Sequence, residues 1–168
     1  MAAGSTYTPL ATTTLGTAAS SVTFSSISGS YTDLVLVTQG NMSASGASIY
    51  LEINGDTATN YSFTYIYGSG SAAASSRASN NSTGIDALGF SSGFSTGQLM
   101  TINHFMNYSN TTTYKTVLCR GSDAGSEVGA TVGLWRKTPE AITSIKVKNT
   151  GSNFTVGHTF TLYGIVAA

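Results

Sequence analysis

The chain has 168 residues and a mass of 17.2 kDa, about one domain's worth of protein. Seven basic residues balance seven acidic ones, and charged residues make up 8% of the chain, against about a quarter in ordinary soluble domains. Seven cations neutralise few phosphates and exert no long-range attraction, which argues against nucleic acid or an anionic membrane as the partner.

Ser, Thr and Gly supply 70 of the 168 positions, so the surface reads as neutral and rich in hydroxyls. One cysteine, Cys119, excludes an intramolecular disulfide and any multi-thiolate metal cluster; within the run Thr116 to Cys119 it reads as a small core hydrophobe. From Met1 to Leu15 no basic residue precedes an apolar stretch, and no segment approaches about 18 uninterrupted apolar residues. The sequence therefore predicts neither a signal peptide nor a transmembrane helix.

In chain order, short runs of alternating or continuous apolar residues recur between turn-forming residues, the pattern of an all-β sandwich or barrel of about 8–10 strands. They fall near 7–14, 20–27, 33–39, 48–54, 61–67, 98–108, 114–120, 128–136, 142–148 and 159–166, and no segment sustains a helical period. The run Asp33 to Val37 is apolar on both strand faces and predicts a central strand, whereas Ile49, Leu51 and Ile53 alternate with Tyr50 and Glu52. Asn54-Gly55-Asp56 turns the chain after them. From Gly68 to Thr83 the chain has little apolar content and much Ser, Ala, Gly and Asn, which predicts a long exposed loop, taken as flexible over about 68–97, within a single domain spanning 1–168. Glycines 121, 125, 129 and 133 predict close backbone approach or bulges on extended chain.

Catalytic motifs are weak. Gly89-Phe90-Ser91-Ser92-Gly93 and Gly93-Phe94-Ser95-Thr96-Gly97 match the nucleophile-elbow pattern, but no helix is predicted after them, and a Ser/Gly-rich chain generates that pattern freely. His104 and His158 are the only histidines and have no metal-ligand spacing around them. His104 shares strand parity with Ile102 and Met106 and reads as partly buried and hydrogen-bonded; His158, after Gly157, reads as a turn residue. The expectation is no catalytic, metal or cofactor site.

Two features suggest contact instead. Tyr61, Phe63, Tyr65 and Tyr67 lie on one face of a strand with Ser62, Thr64 and Ile66 opposite, readable as core, subunit interface or sugar-stacking platform. Charge is also uneven, net −3 over residues 1–114 and net +3 over 115–168, so the basic half either solvates its own strands or docks on an acidic protein surface.

The segments Tyr7-Thr8-Pro9-Leu10, Ser20-Ser21-Val22-Thr23-Phe24, Tyr31-Thr32-Asp33-Leu34-Val35-Leu36, Asn54-Gly55-Asp56 before Asn60-Tyr61-Ser62, Leu134-Trp135, Ala141-Ile142-Thr143-Ser144-Ile145 and Phe160-Thr161-Leu162-Tyr163-Gly164-Ile165 occur in a familiar order. This succession resembles small β-rich virion structural proteins of tailed bacteriophages, including cyanophages, found among capsid-decorating (cement) proteins and tail-fibre or tail-tip proteins. The resemblance covers nearly the whole chain except about 68–97 and rests on structural rather than catalytic motifs. It implies a jelly-roll-like antiparallel domain without enzymatic activity, often a homotrimer, located in the virion after assembly in the host cytoplasm. For a decoration protein the partner is the major capsid protein, with Arg136, Lys137, Lys146 and Lys148 as the expected capsid contact and Tyr61, Phe63, Tyr65 and Tyr67 as the expected subunit interface. For a tail protein the expected partner is a host surface glycan.

Overall fold

The computed structural model describes residues 6–81, 83–88, 97–125 and 127–166. Among them the chain forms β1 (Tyr7–Thr14), β2 (Ser21–Phe24), β3 (Asp33–Gly40), β4 (Ser48–Ile53), β5 (Tyr61–Gly68) and β6 (Ala73–Asn81). It continues with β7 (Ile85–Asp86), β8 (Leu99–Phe105), β9 (Lys115–Asp123), β10 (Val128–Trp135), β11 (Ile145–Thr150) and β12 (Thr159–Ile165). Every pairing is antiparallel, in an eight-stranded sheet ordered β1-β12-β3-β8-β9-β10-β5-β6 and a four-stranded sheet ordered β2-β11-β4-β7.

The topology resolves further. Setting aside the hairpins β5–β6 and β9–β10 leaves β1-β12-β3-β8 facing β2-β11-β4-β7, in which the first strand lies beside the last, the second beside the eleventh, the third beside the eighth and the fourth beside the seventh. That wrapping is the strand order of a jelly roll. The two inserted hairpins both join the β8 end of the larger sheet, so the jelly roll carries a four-strand extension, β9-β10-β5-β6.

Alternation places the core. Val22, Phe24, Ile49, Leu51, Ile53, Ile145 and Val147 point inward from the smaller sheet and meet Leu34, Leu36, Phe105, Val117, Phe160 and Leu162 of the larger one. The doubly apolar β3 is central, as its sequence requires, and even its outward-facing Val35 is buried. Two of the glycines singled out from sequence do permit close approach. A Cβ on Gly133 would lie 2.3 Å from Ile85 Cγ2, and one on Gly121 would lie 2.4 Å from Leu88 Cδ2, because β7 and the residues after it cross the inner face of the extension. Asn54 and Gly55 make the expected turn with φ of 51° and 66°, and the Asn54 side chain holds the backbone N–H groups of Thr143 and Ser144.

The segment read as a long loop at about 68–97 needs correcting, because it contains β6 and β7. β6 pairs along β5 through a short turn closed by the Ser69 N–H bond to the Ala72 carbonyl. It is an edge strand with almost every side chain exposed, so no buried face imposes alternation and its Ser/Ala/Asn composition carries no strand signal. β7 is two residues long, too short for any period.

Candidate functional site

The aromatic stripe divides along its length. Tyr61 and Phe63 are buried in this chain's own core. The Tyr61 hydroxyl donates to the Asp56 carbonyl at 2.9 Å and accepts the Ile53 N–H at 3.0 Å. Those two residues are therefore core rather than subunit interface, which corrects that expectation for them. Tyr65 and Tyr67 stay half-exposed, continuing the row with ring centroids 6.2 Å apart from Phe63 to Tyr65 and again from Tyr65 to Tyr67.

The opposite face of the same sheet departs most from what a monomer needs. An antiparallel sheet with one side on the core normally presents polar residues on the other. Here Ile66 is 62% exposed, Val128 60% and Val132 55%, and all three point away from the core on the adjacent strands β5 and β10. Leu134 and Ala130 of β10, Leu118 of β9, and Ile102 and Met100 of β8 extend the same face. A shallow groove of about 360 Å³ runs between Ile66, Gly68, Arg120, Val128 and Ala130. A second depression of about 230 Å³ lies between Thr64, Arg77, Val132 and Leu134. Cross-strand register sets Arg120 opposite Ala130 and Arg77 opposite Thr64, so one guanidinium stands on each side of the apolar strip. Sequence reasoning missed this face because apolar residues in a strand are read as core. In β10 the glycines at 129 and 133 face inward, where Ile85 crosses Gly133, and the valines are left facing out.

The basic residues expected at a capsid contact fall in two places. Lys146 and Lys148 lie two apart on the outer face of the smaller sheet, where Lys148 Nζ is 2.7 Å from Glu52 Oε2. Arg136 and Lys137 follow β10: Lys137 Nζ bonds Glu140 at 3.0 Å and sits 5.8 Å from the Trp135 ring centroid, and Arg136 donates to Asn80 Oδ1 at 2.6 Å. The structure therefore gives no single basic face made of these four. One ion pair, Lys148–Glu52, joins the basic half to the acidic half, whereas Lys137–Glu140 lies within the basic half.

Other titratable groups have structural environments. His104 Nε2 is 2.8 Å from Asp33 Oδ2, the partly buried hydrogen-bonded histidine expected from its strand parity. Burial pushes the Cys119 thiol pKa well above its ordinary value, which keeps it protonated and inert. His158 closes the turn before β12, its N–H donating to the Thr155 carbonyl at 3.2 Å, and its side chain is fully buried: the ring stacks on Phe160 at 4.7 Å and meets Phe154 edge-on at 4.8 Å. Ser91 and Ser95 lie outside the described residues. Among the described residues no three of His, Cys, Asp and Glu are placed to hold a metal ion.

No known protein family matches the sequence, and no curated protein does. Among solved structures the chain is similar to two mutants of the alginate lyase Aly36B, one in complex with alginate trisaccharide and one with alginate tetrasaccharide. Identity is 10% and 11%, 80% of this chain aligns with 69% and 68% of those chains, and the TM-score is 0.26 for both. A superposition that loose carries no argument about activity.

Proposed function

We propose that the chain is a non-enzymatic structural subunit of a phage virion, a jelly roll that decorates a capsid by binding across its major subunits and stabilises the assembled shell. The observation that carries this reading is the uncovered apolar face of β8-β9-β10-β5, with Ile66, Val128 and Val132 each more than half exposed. Contiguous exposed apolar surface on a single chain marks an interaction site. A subunit that binds only assembled shell shifts the assembly equilibrium by mass action, and several copies add avidity. The resemblance to small virion proteins and the jelly-roll topology support the same reading.

A second reading, a tail-fibre domain that binds host carbohydrate, is favoured by the half-exposed Tyr65 and Tyr67, because aromatic rings stack on sugar faces. Copy number separates the two. Quantitative mass spectrometry of purified virions is expected to give one chain per major capsid subunit, or a simple fraction of that. A few copies per hundred capsid subunits would transfer the chain to the tail, and absence from particles would end both readings.

A further inference from the structure

We infer that the outer face of β9-β10-β5-β6 docks on a foreign protein surface with an apolar centre and carboxylates at its rim, those carboxylates pairing with Arg77 and Arg120. The inference starts from an account of every acid in the chain. There are seven acidic residues in all. Asp33 is bound to His104, Glu52 to Lys148, and Glu140 to Lys137 and Asn54. Asp56 is buried and takes hydrogen bonds from Trp135, Asn60 and the Ala58 N–H. Asp86 is buried and accepts the Leu88 N–H; Asp123 is buried and accepts the Gly125 N–H; Glu127 is buried beside it in the β9–β10 turn. No acid is both exposed and unpaired.

The cations are not balanced in the same way. Arg77 and Arg120 are exposed, and neither forms an ion pair among the described residues. Both belong to the apolar face, Arg120 lining the groove beside Ile66 and Val128, and Arg77 lining the depression beside Val132. A chain with no formal net charge thus presents two uncompensated guanidinium groups on its least polar surface.

That combination selects the partner. Covering Ile66, Val128 and Val132 desolvates the flanking guanidinium groups, which is unfavourable unless acceptors, best of all carboxylates, meet them. A second copy of this chain cannot supply them, because its seven acids are already occupied in the same way. Phosphate could meet the arginines, but a nucleic acid backbone would leave three apolar side chains against charge and water. A protein surface with an apolar centre and an acidic rim satisfies both requirements and matches the usual anatomy of an interface. Four strands about 4.8 Å apart and eight to nine residues long give a footprint of roughly 20 by 25 Å, the small end of specific contacts. Such a contact is weak alone and firm when several copies bind side by side. The inference rests on the reading above only in taking the partner to be a shell subunit.

Site-specific photocrosslinking tests it in the cells where the chain is made. The photoreactive residue p-benzoylphenylalanine replaces Val132 or Ile66 in one set of variants, and exposed Thr23 on the smaller sheet in a control. Crosslinks from Val132 and Ile66, but not from Thr23, are expected to map to one other protein, on a segment containing carboxylates. Arg77→Glu with Arg120→Glu should reduce that crosslinking by about tenfold while leaving Tm unchanged, and lysine substitution of the mapped carboxylates should restore it. Crosslinks to a second copy of the chain, to nucleic acid, or to nothing would each overturn the inference. A crosslink to an acidic non-capsid protein would uphold the docking chemistry and reject the shell assignment.

Discussion

Trp135→Ala is expected to cost about 3–5 kcal/mol of folding stability, the range for removing a fully buried large aromatic. Trp135 ends β10, is buried, and pairs across the strands with Tyr61. Its indole N–H donates to Asp56 Oδ2 at 2.7 Å, and the same carboxylate takes Asn60 Nδ2 at 2.8 Å and the Ala58 N–H at 2.9 Å. Burial works to raise the Asp56 pKa, but the hydrogen bonds from Asn60, Trp135 and Ala58, with the nearby Lys137 charge, outweigh it and hold the carboxyl below its ordinary value. The fold therefore relies on the ionised form, and the indole is one of its anchors. Urea unfolding measures the effect. Trp135→Phe keeps most of the apolar volume and leaves one acceptor short, so it should cost less, about 1–3 kcal/mol. A Trp135→Ala loss below about 1 kcal/mol would contradict the packing described here.

Acidification is expected to destabilise the chain through His158, at up to about 1.4 kcal/mol per pH unit. The Asn41 carbonyl, 3.2 Å from Nδ1, can only accept, so Nδ1 carries the proton. Nε2 then carries a lone pair, buried with no hydrogen-bond partner among the described residues. Protonating it would place an uncompensated N–H and a charge between Phe154 and Phe160. Burial accordingly lowers the His158 pKa from its model-peptide value of 6.5, against a smaller opposing effect of the Asn41 hydrogen bond. Below pH 6.5 the unfolded chain takes up this proton more readily than the folded one. The stabilisation is thus complete above that pH and is lost as pH falls toward the depressed folded value. His158→Phe preserves the stack and should flatten the stability profile between pH 6.5 and 5, measured by urea midpoint across pH. An unchanged slope in that variant would assign the acid sensitivity elsewhere.

Strand positions were legible in the sequence wherever burial imposes a period. The runs near 48–54 and 159–166 became β4 and β12, because Ile49, Leu51, Phe160 and Leu162 bury one face, and the run near 33–39 became β3, whose apolar residues Leu34, Val35 and Leu36 are buried on both faces. β6 left no trace, because an exposed edge strand is specified by its neighbour's free hydrogen-bonding groups rather than by its own side chains. The exposed apolar face was illegible for a related reason. Val128, Val132 and Leu134 have the alternation of core residues, and only the register of β10 against β5, with Gly133 opposite Phe63 and Gly129 opposite Tyr67, shows that the glycine side faces inward. The half-chain charge difference was legible, but its meaning was not. Pairs such as Lys148–Glu52 join residues 96 positions apart, and sequence alone cannot show which cations remain free.

These points converge on one surface. The chain buries or pairs its acids and leaves Arg77 and Arg120 around the exposed Ile66, Val128 and Val132, the surface that the proposed contact would cover. The most direct test is particle occupancy of the Ile66→Asp/Val132→Asp double variant, supplied to virions that lack their own copy. Both positions are solvent-facing, so the variant should remain folded and at least as soluble as the parent. The expected result is loss of the chain from purified particles by about tenfold or more with Tm unchanged. Full occupancy by a folded double variant would show that the open face is not the contact.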